Sequence, residues 1–264
     1  MLILVILAGA ITGIVLGLFG SGGSIIAMPA LMYLLDVEPK AAIAMSMGIV
    51  AVTATISGWD NWRRGNVDVR VAAMFGLFGV VGTYAGARLG IYTPVTLQLI
   101  LFALVMYAAA WKMLQKKKQP QPQATQLAGA GGANVAVTEA EIIQAHMGHI
   151  ALHGVGVGVL TGLVGVGGGF LIVPALVLLS GIPMKIAIGT SLVIVAAKSY
   201  AGFAGYIGSV PVDWAMMGAF TLLTVAGSFA GTRIAHRFSH ERLKKSFAIF
   251  LVVVATYILL KSVI

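Results

Sequence analysis

Gly20-Ser21-Gly22-Gly23-Ser24, followed by Pro29-Ala30-Leu31, returns 145 residues later as Gly165-Val166-Gly167-Gly168-Gly169, followed by Pro174-Ala175-Leu176. The register holds without a gap through Lys40/Lys185, Ser46/Ser191, Asp68/Asp213, Gly82/Gly227, Gly86/Gly231 and Arg88/Arg233. Ungapped self-similarity of this length in an apolar chain is the pattern of membrane carriers built from two homologous halves.

Composition sets the solvent. Of 264 residues, 59% are hydrophobic and only 9% charged, whereas a soluble domain carries about 25% charged residues. Apolar runs such as Leu97–Leu114 and Phe247–Leu260 are bounded by basic residues, as membrane helices are. The 34 glycines suit close helix packing in lipid. A net charge of +9 resides at segment ends and in loops, where it reports orientation rather than a nucleic-acid partner. With no cysteine, disulfides, thioether-linked haem and Fe–S clusters are excluded, and no cofactor is expected. Met1–Gly20 lacks a basic start and matches His149–Gly165 at Gly9/Gly154, Gly13/Gly158 and Gly17/Gly162. It is therefore expected in the mature fold rather than as a cleaved leader.

The pattern predicts an all-α integral membrane protein of two repeats, with eight to ten segments depending on how hairpins are counted. The first repeat, residues 1–114, reads as Leu2–Phe19, Ile25–Leu35, Ala41–Gly58, Val69–Leu89 and Val95–Leu114. The second, residues 148–264, reads as Gly148–Val164, Phe170–Leu179, Lys185–Tyr206, Asp213–Ile234 and Leu243–Leu260. Between them, residues 115–147 hold three lysines, two prolines and a Gln/Ala/Gly run, the composition of a flexible linker. Ile25–Leu35 spans only about 17 Å at ~1.5 Å per residue, too short for a ~30 Å hydrocarbon core. Each glycine-broken pair is thus expected to be a re-entrant hairpin.

Charge orients the halves. In the first repeat the basic loop holds Arg63, Arg64 and Arg70, and Lys112–Lys118 lie on the same side. The matching loop of the second repeat is Gly208-Ser209, and the next connection (His236-Arg237, Arg242, Lys244-Lys245) is the basic one. Because the bias swaps between equivalent loops, the positive-inside rule predicts inverted halves, a cytoplasmic linker and external termini.

A backbone break at membrane depth is tolerated only when buried in protein or lining a wet cavity. After each glycine tip a helix begins, and its first N–H groups carry about half a positive charge without intrahelical partners. Glycine permits close approach, so Gly20, Ser21, Gly22, Gly23 and Ser24 in one half, and Gly165, Gly167, Gly168 and Gly169 in the other, are candidate anion-binding residues. Inverted halves would bring the tips together near the midplane, where carriers bind substrate. The competing reading is that these glycines only permit tight packing.

The repeated G-x-x-x-G-x-G-G-[GS]-x-x-x-x-P-A-L, at Gly17–Leu31 and Gly162–Leu176, resembles the signature of the sulfite exporter family TauE/SafE, also called the toluene sulfonate uptake permeases. The resemblance covers both halves and leaves the linker as the variable part. It implies a secondary transporter of sulfur-containing anions such as sulfite, sulfonates or sulfoacetate, in a bacterial or archaeal inner membrane. Ser21 and Ser24 depart from the glycine-rich form seen in the second half.

Other polar residues have two readings each. Lys198, matched by Thr53, lies well inside a span; it is a cation for substrate or a proton carrier, or else a snorkelling lysine. Ser46 and Ser191 face substrate or bond back to their own helix. Arg88 and Arg233 anchor helix ends or gate the two entrances. Asp68 and Asp213 are expected as helix N-caps. His146, His149 and His153 have a metal-like spacing without a completing ligand set, so no metal is expected. The sequence-level reading is a carrier of small sulfur-containing anions in a lipid bilayer, not an enzyme. Proton coupling and a homodimer are both admissible. The alternatives are an anion channel or a carrier of another small anion.

Overall fold

The computed structural model describes residues 2–20, 23–115, 155–164, 172, 173, 176, 183–235 and 237–263. Regular structure among them is helical, apart from an isolated bridge between Ile207 and Val210. The helices of the first half are α1 (Leu2–Phe19), α2 (Gly23–Leu34), α3 (Pro39–Arg63), α4 (Val69–Tyr92) and α5 (Val95–Leu114). Those of the second are α6 (Val155–Val164), α7 (Met184–Tyr206), α8 (Trp214–Ala235) and α9 (His240–Val263). Ile172, Val173 and Leu176 are also helical and buried. Six of these helices, α3, α4, α5, α7, α8 and α9, are long and apolar enough to cross a membrane. The expected linker lies almost wholly outside the described residues.

Local chemistry explains the boundaries. Asp68 and Asp213 start α4 and α8: their carboxylates accept from the N–H groups of Val71, at 3.0 Å, and Met216, at 2.9 Å. Pro39 opens α3 at a position where a missing N–H costs nothing. That helix runs past Gly58, where the apolar pattern ends, as far as Arg63. The polar residues that mask this extension satisfy themselves locally. The Asn61 amide donates to the Ser57 carbonyl at 2.9 Å, and Arg64 pairs with Asp60 at 3.0 Å.

Glycines decide how the halves interlock. A Cβ placed on Gly13 of α1 would lie 2.1 Å from the Thr224 carbonyl oxygen of α8, and one on Gly17 would lie 2.1 Å from that of Ser228. The equivalent positions of the other half behave alike. A Cβ on Gly162 of α6 would meet the Thr83 carbonyl oxygen of α4 at 2.1 Å, and one on Gly158 would meet that of Gly79 at 2.7 Å. So α1 packs on α8 as α6 packs on α4, each pair parallel, with backbones too close for any side chain between them.

The equivalent helices α3 and α7 pack on one another, and they run antiparallel. Asn61 lies against Gly189, Gly58 against Val193, and Met47 against Gly202. Thr55 and Tyr200, which hold matching positions in the two halves, touch through their hydroxyls at 3.3 Å. A residue contacts its own equivalent only beside the axis that relates the two copies. Antiparallel equivalents about such an axis are what inverted repeats require, and the register puts Thr53 level with Lys198 at the crossing.

Candidate anion site at the helix crossing

The first break forms where α1 stops at Phe19 and Gly20 turns with φ +73°. Only glycine adopts that conformation freely, and a Cβ here would also lie 2.7 Å from the Ser191 hydroxyl oxygen. Gly23 then begins α2. Ser21, Gly22 and the whole second tip, Gly165, Gly167, Gly168 and Gly169, lie outside the described residues, as does the side chain of Ser24. So do His146, His149 and His153.

Ser191 is buried in the second turn of α7; it donates to the Ile188 carbonyl at 2.8 Å, and the Gly20 carbonyl oxygen lies 3.3 Å away. Ser46, its equivalent in α3, likewise donates to Ile43 at 2.8 Å and is buried. Both hydroxyls therefore make the helix-bonded contact. The first tip does not lie at the level of the crossing. Gly20 sits beside Ser191, seven residues from Lys198, which is about 10 Å along the helix at ~1.5 Å per residue. The reason is packing: Gly13 and Gly17 of α1 lie against Thr224 and Ser228 of α8, and that register carries the end of α1 past the crossing.

Lys198 occupies that middle. It is 2% exposed, and its stem lies over Gly79 of α4: a Cβ on Gly79 would meet Lys198 Cδ at 2.9 Å. In the other half the equivalents of this Lys/Gly pair are Thr53 and Thr224, both fully buried and each bonded back to its own helix. A long cation and a glycine in one half thus stand where two threonines stand in the other. Among the described residues Lys198 has no acidic partner. Thr83, one turn beyond Gly79, and Ser199 have buried hydroxyl oxygens without a hydrogen-bond partner among the described residues. A buried ammonium without a counter-charge is costly in lipid, and it is the chemistry that recognises an anion.

Residues 5–258 match the family model described as sulfite exporter TauE/SafE. The chain belongs to the TauE/SafE family. It is 32% identical to a probable membrane transporter protein of Xylella fastidiosa (strain 9a5c), over 99% of this chain and 96% of the relative. Identity to the probable membrane transporter protein YdhB of Bacillus subtilis is 25%, over 94% of this chain and 95% of the relative. For a probable membrane transporter protein of Methanocaldococcus jannaschii it is 24%, over 97% and 95%. No solved structure matches the chain significantly. This is a multi-pass membrane transporter with bacterial and archaeal relatives.

In this TauE/SafE transporter Arg88 and Arg233 are exposed, Arg88 in the last two turns of α4 and Arg233 in the last turn of α8. Neither lines the crossing. The ends of α1 and α6 are held differently. At the end of α6, Gln98 of α5 donates to the carbonyls of Leu163 and Gly90, each at 2.8 Å, and the Tyr206 hydroxyl lies 3.3 Å from the Leu163 oxygen. Gln98 thus caps a carbonyl in the last turn of α6. The equivalents of Gln98 and Tyr206 at the first break are Leu243 and Asn61. They leave a cavity of about 20 Å³ bordered also by Gly17, Lys185 and Thr232, room for about one water. Gln98 belongs to no motif in the sequence. Its signal was a lone amide in the run Leu97-Gln98-Leu99, with leucine at the matching position 243.

Proposed function

We propose that this TauE/SafE transporter is a secondary carrier of small sulfur-containing anions, sulfite and organosulfonates among them. It works by alternating access in a bacterial or archaeal cytoplasmic membrane. The observation that carries the reading is Lys198, buried at the level where α3 and α7 cross and without an acidic partner among the described residues. A sulfonate or sulfite head offers the missing negative charge. Gly20 lies about 10 Å along α7 from that lysine, so backbone N–H groups of the expected tips Gly20–Ser24 and Gly165–Gly169 would serve the anion on its path to Lys198 rather than beside it. The halves rock about this site, and the basic loops fix the linker on the cytoplasmic side. Bisulfite, when it is the substrate, brings its own proton, so no membrane carboxylate is needed for coupling.

Ligand-induced stabilisation of the purified protein tests the reading, because whatever binds only the folded state raises its melting temperature. Sulfite and an aryl sulfonate are expected to stabilise, with chloride and acetate inert at equal ionic strength. Failure of every sulfur anion in such a panel overturns it.

A further inference from the structure

A groove of about 320 Å³ opens between α3, α4 and α7, its inner end reaching the level of the crossing at Ala54, Thr55 and Ala196 and the rest running away from Lys198 towards Trp62. Ala54, Gly58, Trp59, Trp62, Val69 and Val193 are among its walls. Trp59 and Trp62 stand at its edge, 58% and 50% exposed, with ring centroids 5.0 Å apart in an edge-to-face pair. The groove follows α3 from Ala54 to Trp62, about 12 Å at ~1.5 Å per residue. That is close to the depth of one leaflet of a ~30 Å hydrocarbon core. Its mouth opens at the loop that carries Arg63, Arg64 and Arg70, all exposed. Asp60 pairs with Arg64, while Arg63 and Arg70 form no ion pair among the described residues.

We infer that this groove is a binding site for one anionic phospholipid. An acyl chain lies along the apolar walls, the tryptophans stand at headgroup level, and the phosphate meets Arg63 and Arg70. Aromatic residues at the interface and basic residues just beyond it match the two ends of such a molecule. A second copy of the chain is a poorer occupant, since a two-fold contact here would bring each arginine loop towards its own copy. The inference does not depend on which anion is transported.

The test uses the full chain with Trp111→Phe and Trp214→Phe, which leaves Trp59 and Trp62 as the fluorophores. The variant is reconstituted in phosphatidylcholine vesicles with a small fraction of brominated phosphatidylglycerol or brominated phosphatidylcholine. The brominated anionic lipid is expected to quench several-fold more strongly at equal fraction. Arg63→Gln with Arg70→Gln should remove that preference, about fivefold for each arginine, the equivalent of about 1 kcal/mol apiece. Val193→Phe, narrowing the groove from a part-exposed position, should weaken quenching by both lipids. Equal quenching by the two lipids in the parent overturns the proposal, as does a preference that survives the double arginine substitution. Both arginines are exposed, so that arm reads out even if Val193→Phe does not fold.

Discussion

The carbon stem of Lys198 fills the space that a side chain at residue 79 would need, its Cδ 2.9 Å from where that Cβ would stand. One residue belongs to the second half and the other to the first. The lysine at the core of one repeat thus exists by permission of a missing side chain in the other. Thr53 and Thr224 hold the equivalent two positions in the other half, and both are buried.

Gly79→Thr alone should be destabilising by about 1–3 kcal/mol, the usual cost of overpacking. Combined with Lys198→Thr, it recreates the threonine pair of the other half, and most of that loss should return. A double-mutant cycle on thermal stability in detergent reads the coupling. Additive losses would mean that the two residues do not share the space.

Lys198→Met should raise stability while abolishing anion-induced stabilisation. A lysine at helix centre costs about 2.5–3.5 kcal/mol on insertion scales, and methionine keeps most of the stem without the charge. If Lys198 served only to anchor the helix, the same variant would melt lower and still respond to sulfite.

Gln98→Leu should destabilise by more than an ordinary surface change, because the Leu163 and Gly90 carbonyls each lose a 2.8 Å donor and, among the described residues, keep only a 3.3 Å contact, from the Tyr206 hydroxyl and the Thr93 N–H respectively. Each hydrogen bond lost in this way contributes about 0.5–1.5 kcal/mol. Thermal unfolding of the variant beside Leu97→Ala, at a 47% exposed neighbour, separates lost bonds from lost packing.

Gly86→Ala and Gly231→Ala should be equally damaging, since each new Cβ would lie 2.1 Å from a carbonyl oxygen, of Val159 and Ile14 respectively. Gly76→Ala meets nothing within 4 Å and should be neutral, or stabilising by up to ~1 kcal/mol through helix propensity. Detergent melting curves of the three variants give the comparison. Unequal losses at 86 and 231 would contradict the matched packing of α4 on α6 and α1 on α8.

Much of the fold was readable because a duplicated sequence reports the same local physics twice. The short arm after Gly20–Ser24 appears as α2 of 12 residues, as its apolar length demanded. The aspartate caps followed from residue type and position. The third helix outran its expected end because Asp60 and Asn61 look like a terminus, whereas in place they are satisfied within the helix. The height of the first tip was not readable either. It depends on how far α1 slides along α8, which Gly13 and Gly17 set through contacts with Thr224 and Ser228. Lys198 stood out from its type alone, but its partner Gly79 is one glycine among 34, and only packing distinguishes it.

The central claim, a carrier with a cation at the crossing of its two halves, is tested most directly by counterflow in proteoliposomes. Vesicles loaded with unlabelled sulfite should transiently accumulate labelled sulfite with saturable kinetics. Lys198→Met should lower that exchange about thirtyfold or more, the equivalent of the ~2 kcal/mol lower bound for truncating one partner of a buried charge pair. Passage of sulfite as unsaturable current without exchange, or wild-type counterflow in Lys198→Met, would contradict the account.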